Sequence, residues 1–125
     1  MVIGLLRLRL HLPAAHSLKD RRAVVRRAAD RVRARFNVSI AEVGDQERWQ
    51  VATLAVSAVS TERGHVSEVL DKVTAAVASA VAGEALVTGR EVVIAVHPDD
   101  EVLAGGNEMD DASGLMEKFG GSEEG

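Results

Sequence analysis

Residues 36–60 read FNVSIAEVGDQERWQVATLAVSAVS. Two runs, 36–43 and 50–60, have the alternating, β-branched character of strands. The residues from Gly44 to Arg48 between them are all polar or glycine. This predicts a β-hairpin whose loop is somewhat longer than the tightest two-residue kind.

On the N-terminal side of the hairpin, Leu18, Val25, Ala29, Val32 and Phe36 recur at helical spacing. They predict a helix from Ser17, as N-cap, to Arg35. Asp20 stands three residues after the cap, in the place of the usual capping-box glutamate. Before it, VIGLLRLRLHL (residues 2–12) alternates, with Leu6, Leu8, Leu10 and Leu12 on one side and Arg7, Arg9 and His11 on the other. That pattern predicts a half-buried strand, ended by Pro13. On the C-terminal side, Thr61 or Ser60 caps a second helix over about 62–82. Its inner face is Val66, Val69, Leu70, Val73, Val77 and Val81, and Gly83 stops it. LVTGREVVIAVH, residues 86–97, is the last strand.

The order strand, helix, strand, strand, helix, strand, with right-handed crossovers and a central hairpin, predicts a ferredoxin-like βαββαβ sandwich. This is an α+β fold with two helices on one face of a four-stranded antiparallel sheet, in strand order 4-1-3-2. Domain boundaries follow: a folded unit over residues 1–98, then a Gly-rich acidic tail over 99–125 that is expected to be disordered. Helices are expected to cover the sheet face bearing Leu6, Leu8, Leu10, Leu54, Val56, Ile94 and Val96. The row Arg7, Arg9, His11 then lies on the helix-free face.

Charge is unevenly distributed. The chain is net −4 overall, yet residues 1–36 hold ten Lys and Arg against Asp20 and Asp30, while 98–125 hold nine acids against Lys118. Such asymmetry speaks to partners rather than fold. Lys19, Arg22, Arg26 and Arg33 fall within about 60° of one another on the first helix, at about 100° per residue. With Arg7, Arg9, His11 and Arg21 they are the candidate nucleic-acid or anion-binding residues. Free amides at the helix start, beside Lys19, Arg21 and Arg22, could hold an anion. Three aromatic residues, Phe36, Trp49 and Phe119, are too few for base stacking on the central strands. RNA, if bound, is structured RNA met by shape and phosphate contact.

Other chemistry is poorly provided for. The absence of cysteine excludes disulfides and thiolate catalysis. The four histidines have no metal-ligand spacing, no serine lies in a GxSxG elbow, and no glycine cradle precedes a helix. No cofactor and no metal are expected. Arg7 and Arg9 inside the first strand argue against a signal peptide, no apolar run is long enough to span a bilayer, and the expected location is cytoplasmic, away from membranes. Glu42, Gln46, Trp49 and Gln50 are the candidate partner-contact residues. Trp49 serves either as a lid on the core edge or as an anchor for a partner. A polar cluster of Glu42, Asp45 and His11 is the one place for an enzyme reading.

Three motifs occur in order: HSLKDRR at 16–22, RFNVSIAEV at 35–43 and WQVATLAV at 49–56. Together they resemble the DUF503, or YlxP-like, family of small bacterial proteins of unknown function, over residues 2 to about 97. Ser17, Leu18, Lys19, Asp20, Arg21 and Arg22 match the family's helix opening. Phe36, Asn37, Val38, Ser39, Ala41 and Glu42 match its second motif. The family hairpin reads DHQDLWQ. Gln46, Trp49 and Gln50 keep that pattern, whereas Gly44, Asp45, Glu47 and Arg48 depart from it, so the histidine expected at position 45 is absent. The resemblance implies a ferredoxin-like fold. In several bacteria, genes of the family sit among translation genes, and the resemblance thereby implies a ribosome- or RNA-linked role. It supplies no catalytic residues. The expected function is a non-enzymatic binding module for structured RNA or the ribosome. The alternatives are a protein-interaction or self-associating module using Trp49, and a small enzyme with a polar site near Glu42.

Overall fold

A computed structural model describes residues 1–44 and 48–98 of the chain. The expected tail at 99–125, and Asp45, Gln46 and Glu47 of the hairpin loop, lie outside the described residues. The elements run β1 (Val2–His11), α1 (Leu18–Arg35), β2 (Ser39–Val43), β3 (Val51–Ser60), α2 (Arg63–Ala80) and β4 (Leu86–Val96). All strand pairs are antiparallel and the sheet order is β2-β3-β1-β4. This is the ferredoxin-like arrangement, with β1 central.

The sequence dictates which face is covered. Leu6, Leu8, Leu10, Leu54 and Val56 are fully buried beneath Val24, Val25, Ala28, Val32, Val66, Leu70, Val73 and Val77 of the helices. In-register neighbours on adjacent strands share a face. Leu8 stands beside Leu54 and Leu6 beside Val56. Ile94 packs partly against the core, but Val96, expected inside, is 60% exposed. It lies at the last position of β4, an edge strand, opposite the buried Val2.

Helix ends follow local chemistry. Ser17 Oγ accepts from the Asp20 amide at 3.1 Å, and the Asp20 carboxylate accepts in return from the His16 amide at 3.2 Å. This is the capping box displaced by one residue toward the N-terminus. In α2 the N-cap is Glu62, which makes no side-chain cap bond. Ser60, expected as a cap, instead accepts from the Glu62 amide in the preceding turn. After α2 the chain reverses at Gly83, whose φ of 87° a side chain would make costly, and the Glu84 and Ala85 amides both return to Val81 O. Helix α2 sits close on β1. A Cβ at Gly4 would come within 2.4 Å of Val66 Cγ1 and 2.9 Å of Leu70 Cδ1.

Candidate anion-binding surfaces

Helix α1 buries Arg21, Val24, Val25, Ala28, Ala29 and Val32. Everything basic on the helix except Arg21 is therefore turned outward. Lys19, Arg22, Arg26, Arg27, Arg31, Arg33 and Arg35 are all exposed. Arg33 donates to Ile40 O at 3.1 Å, which fixes the stripe Lys19, Arg22, Arg26, Arg33 on the flank of α1 beside the β2 edge. Arg27 pairs with Glu84 beyond the end of α2, so the other flank faces α2. That hydrogen bond raises the Arg27 pKa and lowers that of Glu84, with desolvation opposing it and the Coulomb attraction of the pair acting the same way. Between the flanks, Ala23 and Ala34 leave a shallow groove lined by Arg26, Arg27, Asp30 and Arg31. Among the described residues, Lys19, Arg22, Arg26 and Arg31 have no ion-pair partner. These charges are free to meet an external anion.

Arg7, Arg9 and His11 lie on the other side of the molecule. They alternate with the buried Leu6, Leu8 and Leu10, so they face away from the helices. The candidate cations thus form two surfaces on opposite faces rather than one. On the open face Arg7 pairs with Glu91 of β4. Arg9 has Thr53 and Gly89 as its cross-strand neighbours, and a bulge in β4 follows at the same place. These small neighbours leave a shallow hollow of about 870 Å³ lined by Arg7, Arg9, Arg48, Thr53, Gly89 and Glu91.

Arg21 differs from every other arginine of the helix. It is 1% exposed, its guanidinium pairs with Glu42 of β2, and its Nε donates to Val51 O at 3.0 Å. Its residue type predicts a surface anion ligand. The structure corrects this and places it in the core, where it ties α1 to the base of the β2–β3 hairpin. Glu42 stands opposite Leu54 and so points to the helix side. The sequence does carry the signal. Arg21 lies three, four and seven residues before Val24, Val25 and Ala28, in the middle of the buried arc.

The polar cluster behind the enzyme alternative is not assembled. Glu42 points to the helix side and His11 to the open side, while Asp45 is outside the described residues. Among the described residues no three His, Asp or Glu side chains gather as metal ligands. At the hairpin, Trp49 is 51% exposed. Gln50 joins the hairpin to the end of β1: its side-chain amide donates to Pro13 O at 3.2 Å and its backbone carbonyl accepts from the Leu12 amide at 2.8 Å. Gln50 is thereby a structural tie as well as a candidate contact. Gln46 lies outside the described residues.

The family described as "Protein of unknown function (DUF503)" matches residues 3–90, most of the chain. The chain belongs to the DUF503 family. Among its DUF503-type relatives, the "Uncharacterized protein YlxP" of Bacillus subtilis (strain 168) is 44% identical over 61 residues, covering 49% of this chain and 66% of that protein. Two solved structures align with this DUF503 protein at low identity. A "De novo designed protein Foldit4" does so with a TM-score of 0.45 at 11% identity, over 78% of this chain and 98% of its own. A C-terminal segment of the alpha subunit of aIF2 from Pyrococcus abyssi aligns with a TM-score of 0.43 at 13% identity, over 80% of this chain and 52% of its own. Among the described residues of the DUF503 chain, no helix is long and apolar enough to cross a membrane.

Proposed function

We propose that this protein is a binding module that engages structured RNA, free or in a ribosomal particle, through the outer surface of α1. The observation that carries the reading is the set Lys19, Arg22, Arg26 and Arg31, exposed on one rigid helix without ion-pair partners among the described residues. Lys19, Arg22 and Arg26 lie within about 60° of one another at about 100° per residue, with Arg31 on the other flank; such a row of cations suits the phosphates of a duplex, and neutralising phosphates releases counterions. The strands offer no aromatic platform, which favours shape and backbone contacts over base stacking. The translation-linked role implied by the family resemblance points the same way.

The test is a salt titration of binding to a structured RNA and to ribosomal particles. Removing one phosphate-binding side chain lowers the slope of log affinity against log salt by about 1. Arg22→Glu with Arg26→Glu is expected to remove most of the affinity while leaving the melting temperature close to that of the parent, because both side chains are in solvent. Equal binding by parent and variant at low salt would sink the reading.

One observation supports a second reading. Trp49 presents an exposed indole at the hairpin and is the chain's single tryptophan. Large rigid aromatic rings anchor protein interfaces. A protein partner, or a second copy, held by Trp49 would shift its fluorescence on binding, whereas RNA on α1 would leave it unchanged.

A further inference from the structure

The hollow of about 870 Å³ at the arginine-bearing end of the open sheet face has its floor set by strand register. Side by side across β2, β3, β1 and β4 stand Val43, Thr53, Arg9 and Gly89. Arg9 thus rises between small neighbours. Gly89 does not serve the backbone here: its φ is not left-handed, and within 4 Å a Cβ added to it would meet only Arg9 Cβ, at 3.4 Å. What the missing side chain leaves is room. The register of β4 shifts at the same place, so that Leu10 faces Val87 and Thr88 is the extra residue of a bulge. Its hydroxyl donates to Arg9 O at 3.4 Å. A glycine and a bulge inside a strand mark places where a ligand comes close to the backbone.

The charges around the hollow are of two kinds. Arg7 is engaged by Glu91 of β4 through Oε1, which leaves the second carboxylate oxygen as an acceptor. Arg9 and Arg48 are exposed and, among the described residues, have no ion-pair partner. They come from different parts of the chain, the central strand and the stretch just before β3, yet both line the same hollow.

We propose that this hollow binds a small phosphate ester with a hydroxyl-bearing body, the class of sugar phosphates and mononucleotides. Arg9 and Arg48 hold the phosphate, whose oxygens match the guanidinium fork. Glu91 and the Thr53 hydroxyl receive the hydroxyls of the body. The volume lies within the roughly 300–1,000 Å³ of small-ligand sites. The surroundings disfavour a polynucleotide. Beyond Arg7 and Glu91 the next rows of the face are Ser57, Leu5 and Val93, then Val59, Ile3 and Ala95, none of them charged. A phosphodiester chain running on in that direction would pass Glu91 and then meet no cation. The site is on the face opposite α1 and is independent of the RNA reading.

The test is an NMR titration of the full-length protein with ribose 5-phosphate and with adenosine monophosphate at millimolar concentrations, and with inorganic phosphate for comparison. Either ester is expected to shift the amide signals of Arg9, Thr53 and Gly89, to leave those of Ala23 and Ala34 on the outer side of α1 unmoved, and to bind more tightly than inorganic phosphate. Arg9→Gln with Arg48→Gln should weaken binding about tenfold or more and keep the melting temperature close to that of the parent, because both side chains are in solvent. Gly89→Val fills the hollow while keeping both arginines, and should also abolish the shifts. Arg22→Glu with Arg26→Glu should leave them intact. Four results would overturn the proposal: no shift on the sheet face with either ester, shifts centred on α1, equal affinity for inorganic phosphate and the esters, or unchanged binding in the Arg9→Gln, Arg48→Gln protein.

Discussion

On one side of β1, Leu6, Leu8 and Leu10 are wholly buried beneath two helices. On the other, Ile3 and Leu5 keep contact with water while Arg7 and Arg9 face outward. The apolar residues of the two sides are chemically alike, and their environments differ because one face has a cover. Hydropathy alone therefore does not identify the core of such a strand. The helical faces that arrive to cover it do, and the arginines mark the side left bare.

The sharpest way to break this comparison is to truncate one leucine on each side. Leu8→Ala leaves a cavity under the helices and should cost about 2–5 kcal/mol in urea unfolding. Leu5→Ala should cost less than about 1 kcal/mol, because surrounding water fills the space. Equal costs would break the comparison. Next is the buried ion pair beneath α1. Glu42→Gln removes the carboxylate that faces the buried Arg21 guanidinium, and about 3 kcal/mol is expected, at the low end for breaking such a pair because Glu42 retains 16% exposure. Arg21→Met combined with Glu42→Leu should recover most of that stability. A double-mutant cycle reads the difference.

Gly4→Ala, on the covered side, drives a methyl into Val66 and Leu70, and about 1–3 kcal/mol of destabilisation is expected from overpacking. The smallest effect is at Glu84. The Arg27 hydrogen bond lowers its pKa in the folded state, so its contribution is present above the unfolded-state pKa and is lost as the pH falls through the folded one. Glu84→Gln should flatten the acid limb of the stability profile slightly and leave neutral stability nearly unchanged, since the group is on the surface.

Element order, strand order and the covered face are all legible in the pattern of residues 2–97. Two periods, 2.0 and 3.6, suffice to assign six elements, and the central hairpin leaves few topologies. Boundaries are less legible. The strand expected from Phe36 begins at Ser39, because Phe36 serves as the C-cap of α1 and its amide still bonds to Val32 O. Arg21 is harder to place for a different reason. Its helical angle is a local property and puts it in the buried arc, but its charge is tolerable there only because Glu42, in another element, reaches it. Residue type argues for the surface, position argues for the core, and the compensating partner that decides between them is non-local. The separation of the basic residues into two surfaces is implicit in the alternation of β1. A charge count along the chain hides it.

The central place of β1 also governs the order in which the domain can form. Its partners are β3 and β4, and the paired residues stand some 40 to 94 positions apart in the chain. The first strand to be synthesised is therefore completed by the last, and Leu6, Leu8 and Leu10 must wait for their neighbours. Pairings of such long separation slow folding. During that interval a nascent chain carries an unpaired apolar strand, interrupted by Arg7 and Arg9, whose charges oppose its pairing with another copy of itself.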